Sequence, residues 1–263
     1  MSESFKIPFH HFGGLRMRGG GKKILFDKPL ITVVTVVYNH VKHLEEAIKS
    51  VINQAYQNVE YIIIDGGSTD GTLDVIKKYE HVIDYWISEP DGGIYNAMNK
   101  GLNIASGDWL IFLGADDVLA DCLVSVSRRM KRQDVVYYGN AELASSGKLY
   151  AGSFNRYKLM QQNICHQAIF YPRSIYLYKR YEEEYRWLAD YKYNMDLWGD
   201  GVRFCYIPEK IARFNDLGAS SSGDIHFNSI KMNLILKKLG FIFWLIKGAR
   251  NFFVLLVNGQ LKL

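Results

Sequence analysis

Residues 30–37 read Leu-Ile-Thr-Val-Val-Thr-Val-Val, an almost wholly apolar and largely β-branched run without alternation. Such a run predicts a strand covered on both faces, the situation of a parallel sheet layered by helices. Lys42 to Gln54 follows with Leu44, Ala47, Ile48, Val51 and Ile52 at helical spacing. The same alternation then recurs: strand Val59–Ile64, helix Thr69–Tyr79, short strand Tyr85–Ser88, helix Ile94–Ala105 and strand Trp109–Leu113. Repeated βαβ units predict an α/β fold, a mostly parallel sheet with helices on both faces. Beyond Asp117 the pattern loosens. A helix is expected over Leu119–Lys131, a strand at Asp134–Tyr138, a hairpin around Ser145–Gly147, a strand at Ala168–Tyr171 and a helix at Tyr191–Trp198. Strands at Val202–Ile207 and Ile211–Phe214 complete the expected body.

The chain has 263 residues, 48% hydrophobic and 22% charged, which suits one large folded domain with an appendage and excludes a disordered or collagen-like chain. Charge is distributed unevenly. Residues 1–28 form a glycine-rich lead with six basic and two acidic side chains, residues 223–263 carry six against one, and the body between is net acidic. An acidic body argues against a nucleic-acid partner. The last segment mixes those lysines with Leu234, Ile235, Leu236, Phe241, Ile242, Phe243, Trp244 and Phe252 to Val257. No uncharged stretch there reaches the ~20 residues of a membrane span. Amphipathic helices that lie on an anionic membrane are expected instead, with packing against the core or a homodimer partner as the other outcome. Cys122, Cys165 and Cys205 are widely spaced and odd in number, and residues 1–28 lack a secretory apolar region, so a cytoplasmic location is expected.

Carboxylates fall where strands end: Asp65 after one, Asp116 and Asp117 after another. On one edge of an open parallel sheet they would share a crevice, and neutralising them calls for a divalent cation with a phosphate-bearing ligand. A lone Asp there is also an ordinary turn residue. The strand-to-helix segment Asp65-Gly66-Gly67-Ser68-Thr69-Asp70-Gly71-Thr72 matches neither G-x-G-x-x-G nor a P-loop, which disfavours a dinucleotide dehydrogenase. Ser68 or Thr69 is positioned to cap the helix. His40 and His43 lie one helical turn apart without a third ligand, a poor zinc set.

Four blocks together resemble bacterial family 2 glycosyltransferases of the surface-polysaccharide type: Pro29 to Asn39, Asp65 to Thr72, Ser88 to Gly101, and Leu113 to Asp117. Weaker similarity continues through His166-Gln167, Ala189-Asp190-Tyr191 and Arg213 to Ser220. The resemblance implies a GT-A fold, a nucleotide-sugar donor, Mn²⁺ or Mg²⁺, and inversion at the anomeric carbon. It divides the body into a nucleotide-sugar half, residues 29–117, and an acceptor and catalytic-base half, residues 118–222. By position, Thr35, Tyr38 and Asn39 would border the nucleotide, and Asp65 would accept a hydrogen bond from the base, with uracil expected. Asp91, Gly92 and Gly93 would face the sugar or phosphates.

Adjacent residues in extended chain point oppositely, so Asp116 and Asp117 need not share a task. The resemblance gives Asp116 to ribose or sugar and Asp117 to the metal. Asp190 matches the catalytic base, with Asp196 the competitor, expected to be structural or exposed. Lys100, His166 and Gln167 are candidates for diphosphate or acceptor contact. Asn96 stands where many relatives have an acid. Tyr185-Arg186-Trp187 lacks the glutamine of processive members, so single additions are expected. The expected activity is transfer of one sugar, from a UDP-sugar, to a lipid-linked glycan at the inner face of the cytoplasmic membrane. Two other readings stay open: a non-catalytic sugar-nucleotide-binding assembly protein, and a nucleotidyltransferase on a related fold.

Overall fold

The computed structural model describes residues 11–20, 22, 28–150, 152–217 and 224–257. In chain order they form β1 (His11–Gly13), a 3-10 turn (Leu15–Arg18), β2 (Ile31–Val37), α1 (Leu44–Ile52), β3 (Val59–Asp65), α2 (Thr72–Lys78), β4 (Tyr85–Ser88), α3 (Ile94–Ile104) and β5 (Trp109–Gly114). The second half adds β6 (Val118–Leu119), α4 (Leu123–Arg129), β7 (Val135–Leu143), β8 (Leu149–Tyr150), α5 (Arg156–Gln161), a 3-10 turn (His166–Ala168), β9 (Ile169–Pro172), α6 (Arg173–Tyr176), α7 (Ala189–Gly199) and β10 (Arg203–Phe214). Then come α8 (Ile225–Leu234), a π-helical turn (Ile235–Leu239) and α9 (Phe241–Val257).

The strands make one sheet in the order β1-β4-β3-β2-β5-β9-β7-β10-β6, with β8 paired to β7. β2 pairs parallel with β3 on one side and β5 on the other. Its side chains explain the unbroken apolar run, because both faces are used. Ile31, Val33 and Val37 join the core under α1, where Leu44, Ala47, Ile48 and Val51 are buried. Val34 joins the opposite core with Ile62, Ile64 and the α3 residues Tyr95, Met98 and Leu102. Full burial of each such aliphatic side chain is worth about 1.5–3 kcal/mol. A Cβ on Gly101 would sit 2.6 Å from Val34 Cγ1, so α3 approaches the sheet closely only with glycine there.

Several expected boundaries move for local reasons. α2 begins at Thr72 because Ser68 and Thr69 are held in the rim described below; its N-cap is Gly71, without a capping side chain, and Asp70 Oδ1 accepts from Thr72 N at 3.0 Å in the turn before it. The helix expected from Leu119 starts at Leu123, since Val118 and Leu119 pair with Arg213 and Ala212. The two last expected strands are one, β10, parallel to β7 and irregular between Tyr206 and Ala212. Pro208 lies within that irregularity and lacks the N–H that a regular ladder needs.

Both terminal segments are partly built into the body. β1 pairs antiparallel with β4, and Arg16 reaches inward to the Glu60 carboxylate, Ile104 O (3.0 Å) and Ser106 Oγ (3.4 Å). Glu60, 1% exposed, also accepts from Thr32 Oγ1 at 2.6 Å and Ser106 N at 2.8 Å. Asp224 caps α8 through Phe227 N (3.0 Å) and also accepts from Trp187 N (2.9 Å), while Phe227, Ile235 and Leu239 are core residues. The expected tail therefore divides: residues 224–239 belong to the domain, and α9 exposes Phe241, Ile242, Leu245, Ile246, Phe252 and Val254. Among the described residues no helix is long and apolar enough to cross a membrane. The remainders of the lead (1–10, 21 and 23–27), of the Arg213–Ser220 block and of the tail (218–223 and 258–263) lie outside the described residues.

Candidate active site

Four strands end level on one edge. Ser88 of β4 lies opposite Asp65, Asp65 opposite Val37, and Gly114 opposite Val36. Strand order runs outward from β2 through β3 to β4, then restarts on its other side with β5. That reversal opens a crevice beyond the carboxyl ends, the usual ligand position in such sheets.

Asp65 has no exposed surface. Its Oδ1 accepts from Ser68 Oγ at 2.5 Å, and its Oδ2 from Ser68 N at 3.1 Å and Ser88 Oγ at 2.6 Å. Ser68 Oγ in turn accepts from Asn39 N at 2.7 Å, and Asn39 Oδ1 from Thr69 N at 2.9 Å. Asn39 turns the chain with φ 52°, a conformation asparagine tolerates better than most side chains. The carboxylate thus clamps the loops after β2 and β3 together, and Tyr38, 61% exposed, projects from that rim. Thr35 departs from expectation. It is wholly buried within β2, its hydroxyl 3.1 Å from the Tyr61 hydroxyl, and so lies behind the crevice wall.

Asp91 lies across the β3 end, where a Cβ on Gly66 would meet its Oδ2 at 2.7 Å. Burial pushes its pKa up, against the hydrogen bond from Gly93 N at 2.9 Å. Gly92 N faces Asn96 Oδ1 at 3.4 Å. Both backbone donors expected to meet phosphate are thus occupied by side chains of the same segment. Lys100 pairs with Glu89 at 2.7 Å, which assigns its charge to the loop before α3. Glu183 accepts from Asn96 and Asn99, each at 2.9 Å, so a carboxylate from another segment covers the side chain of Asn96.

Asp116 and Asp117 diverge as adjacent residues should, and they differ in exposure. Asp117 is 2% exposed, accepting from Gly114 N (2.9 Å) and Gln167 Nε2 (2.9 Å) on Oδ2 and from Asn215 N (3.0 Å) on Oδ1. Burial and then the neighbouring Asp116 raise its pKa, partly offset by Gln167. A side chain at Gly114 is excluded, because its Cβ would stand 2.5 Å from Asp117 Oδ2. Asp116 is half-buried and accepts from Asn215 Nδ2 at 2.8 Å on Oδ2, with no described residue hydrogen-bonded to Oδ1. Among the described residues no three His, Cys, Asp or Glu side chains gather as a metal cage. A single accessible carboxylate fits a cation held mainly by substrate phosphate oxygens and water, as Mg²⁺ commonly is.

Asp190, in the first turn of α7, is 6% exposed. Its Oδ1 lies 2.9 Å from Tyr95 Oη and 2.8 Å from Tyr191 N; its Oδ2 accepts from Asn163 Nδ2 at 2.8 Å and faces His166 Nδ1 at 3.3 Å. Burial, then the Asp190 charge, holds the Tyr95 phenol well above its usual pKa, so it remains protonated. For His166, burial pulls the pKa down, but hydrogen bonding and charge from Asp190, with a smaller contribution from Asp117, raise it on balance. Since Gln167 binds Asp117 and His166 meets Asp190, two consecutive residues join the acids at the β5 end to the acid of α7. Asp196 is buried among Lys192 (2.8 Å), Lys238 (3.5 Å) and Lys179 (3.8 Å), a structural ion-pair network. Asn163, Asn215, Tyr95, Ser88 and Glu183 escaped the sequence reading as site residues. Their residue types are common in loops, and only the fold brings them to the acids.

The fold has solved counterparts. Staphylococcus aureus TarS, residues 1-349 in complex with UDP-GlcNAc, superposes with TM-score 0.63 at 16% identity, over 80% of this chain and 67% of that one. The mannosyltransferase PcManGT from Pyrobaculum calidifontis, in complex with GDP-Man and Mn²⁺, gives 0.56 at 15%, covering 89% and 69%. The architecture is thus that of the GT-A glycosyltransferases, with the acid-lined crevice at the reversal of strand order.

Residues 32–217 match the family model described as Glycosyl transferase family 2, and the chain belongs to that family. A PGL/p-HBAD biosynthesis glycosyltransferase of Mycobacterium tuberculosis is 31% identical over 224 residues, 81% of this chain and 87% of the relative. An uncharacterized glycosyltransferase of the same species is 34% identical over 157 residues, 56% and 60% respectively. The protein is a glycosyltransferase.

Proposed function

We propose that this glycosyltransferase moves one sugar, with inversion, from a UDP-sugar to a lipid-linked glycan of a bacterial surface polysaccharide at the cytoplasmic membrane face. The observation that carries the reading is the half-buried Asp116, at the switch of strand order, next to an Asp117 that Gln167 binds, with the adjacent His166 meeting the hydrogen-bonded Asp190. One acid serves the donor phosphates and the other the acceptor proton. Tyr38 and Asn39 border the nucleotide. Asp65 meets the base only if Ser68 yields one of its oxygens. Among the two acids after β5, Asp116 is the better placed to contact a divalent metal, because Asp117 is 2% exposed and already accepts three hydrogen bonds. Mn²⁺ or Mg²⁺ there supplies positive charge against the leaving diphosphate. The chain's own residues fix the crevice, and the Asp190 centre holds the proton removed from the acceptor hydroxyl. The exposed apolar face of α9, interspersed with Lys247 and Arg250, supports placement on an anionic membrane.

Thermal unfolding with UDP, GDP or CMP, each with and without Mn²⁺, tests the donor site. A ligand at about a hundred times its Kd adds about 2.7 kcal/mol, roughly 5 °C or more in Tm for a chain of this size. The expected outcome is a UDP shift that requires Mn²⁺ and is lost in Asp116→Asn. A shift with GDP alone would replace the donor assignment, and no shift with any nucleotide would refute the donor site.

A further inference from the structure

Where α5, α8 and α9 meet, cations gather without acids to balance them. The Lys231 ammonium of α8 lies 4.7 Å from the Tyr191 ring centroid and 5.8 Å from that of Phe227, two rings stacked at 5.0 Å. Among the described residues no carboxylate pairs with Lys231, and the charge that bears on it is a like one, Lys247 of α9. Burial, and then Lys247, pulls the Lys231 pKa down to about 8. Lys247 also lacks a described carboxylate, and burial and then Arg250 lower its pKa. Arg250 donates to Gln161 Oε1 of α5, whose Nε2 is buried with no described acceptor. The acids that neutralise other lysines of this half, Asp196 and Asp200, are committed to Lys179, Lys192 and Lys238. Aromatic faces offset part of the desolvation of a half-buried ammonium, and an anion between the cations would offset more. Lys231 and Lys247 are each partly exposed, and Arg250 is exposed.

The surroundings select the anion. α8 starts beside the first turn of α7, since its cap Asp224 accepts from Trp187 N at 2.9 Å and Leu188 N at 3.3 Å, and Tyr191 directly follows Asp190. On α9 the cations are interspersed with the exposed Ile242, Leu245, Ile246 and Phe252. An amphiphile with a phosphate head fits both features. The head group of an ordinary anionic phospholipid carries a single charge, whereas a diphosphate carries more on neighbouring oxygens, the better match to clustered cations.

We propose that Lys231, Lys247 and Arg250 hold the diphosphate of the lipid-linked acceptor, with its apolar chain along the exposed face of α9 and its glycan on the Asp190 side of α7. The inference rests on the lipid-linked acceptor reading above and assigns the place of its phosphate.

The test is co-sedimentation of the full chain with phosphatidylcholine vesicles that carry a polyprenyl diphosphate, against vesicles brought to the same surface charge with phosphatidylglycerol. Wild type is expected to prefer the diphosphate vesicles by about tenfold or more, and Lys231→Met and Lys247→Gln should each weaken that binding about tenfold, the loss of one charge-assisted contact. Methionine keeps the stem of Lys231 on its two rings, and cooperative thermal unfolding verifies each variant. Lys237→Gln, at an exposed lysine of the π-helical turn, removes the same charge elsewhere and should leave the preference intact. Farnesyl diphosphate should displace the vesicles at lower concentration than inorganic pyrophosphate; equal potency would overturn the placement of the chain on α9. A preference that survives both substitutions would overturn the site and leave the lipid-linked acceptor standing. Equal binding of wild type to the two vesicles would give the cluster to ordinary phospholipid and remove both. The UDP response, measured separately, decides the donor reading whichever way the vesicles divide.

Discussion

At the scale of single residues, the chemistry of the crevice is set by which carboxylate oxygens remain free. Asp65, Asp117 and Asp190 all stand where the four sequence blocks and the Ala189-Asp190-Tyr191 match put acids, yet each spends its oxygens on neighbouring donors. The positions were legible because acids after buried strands are readable in one dimension. Which of their oxygens are engaged was not, because that depends on Asn215, Gln167, Asn163 and Ser88, which come from distant segments. Thr35 shows the same limit, since a strand buried on both faces hides its hydroxyl inside the sheet.

The His166–Asp190 contact also predicts a pH dependence of stability. A histidine whose folded pKa is raised contributes stability that is fully present below its unfolded value and fades as pH rises through the folded value. Urea midpoints of wild type should therefore fall across that window, from about pH 6.5 upwards, relative to those of His166→Asn. Parallel curves for the two proteins would contradict the contact.

At the scale of elements, the βαβ alternation was readable because strands covered on both faces leave an unmistakable apolar run, whereas the terminal segments were not. The lead has no apolar period, so its strand β1 and the inward reach of Arg16 come only from the fold. Arg16→Ala removes the counter-charge of a Glu60 that is 1% exposed and leaves it with its hydroxyl and amide donors. Stranding a buried carboxylate costs about 3 kcal/mol, roughly 6–12 °C in Tm for a chain of this size. A melting temperature within a degree of wild type would show that the Arg16–Glu60 contact contributes nothing to the domain.

The tail calls for a cut at the right place. Removal of everything after Gly223 would strip Asp224 and Phe227 from the body, but a stop after Gly240 removes only α9 and the six residues that follow it. That shorter chain is expected to keep its UDP response and lose sedimentation with vesicles rich in phosphatidylglycerol. Undiminished sedimentation would leave α9 as a contact with a second copy or with another protein.

At the scale of the molecule, an acidic body between basic ends was visible from the distribution of charge, and the fold turns that list into geography. The acids gather at one edge of the sheet, while the cations of the last helix stand beside an apolar surface. The sheet's outermost strands also bear on how copies of the chain meet one another. Among the described residues β6 meets the twelve-residue β10 only at Ala212 and Arg213, and the open remainder of that strand carries Arg203, Pro208, Glu209 and Lys210, residues that discourage a neighbour's strand from pairing there. Copies of a chain held at high local concentration meet far more often than dilute ones. A sheet with blunted margins lets such encounters end without polymerisation into β-aggregates.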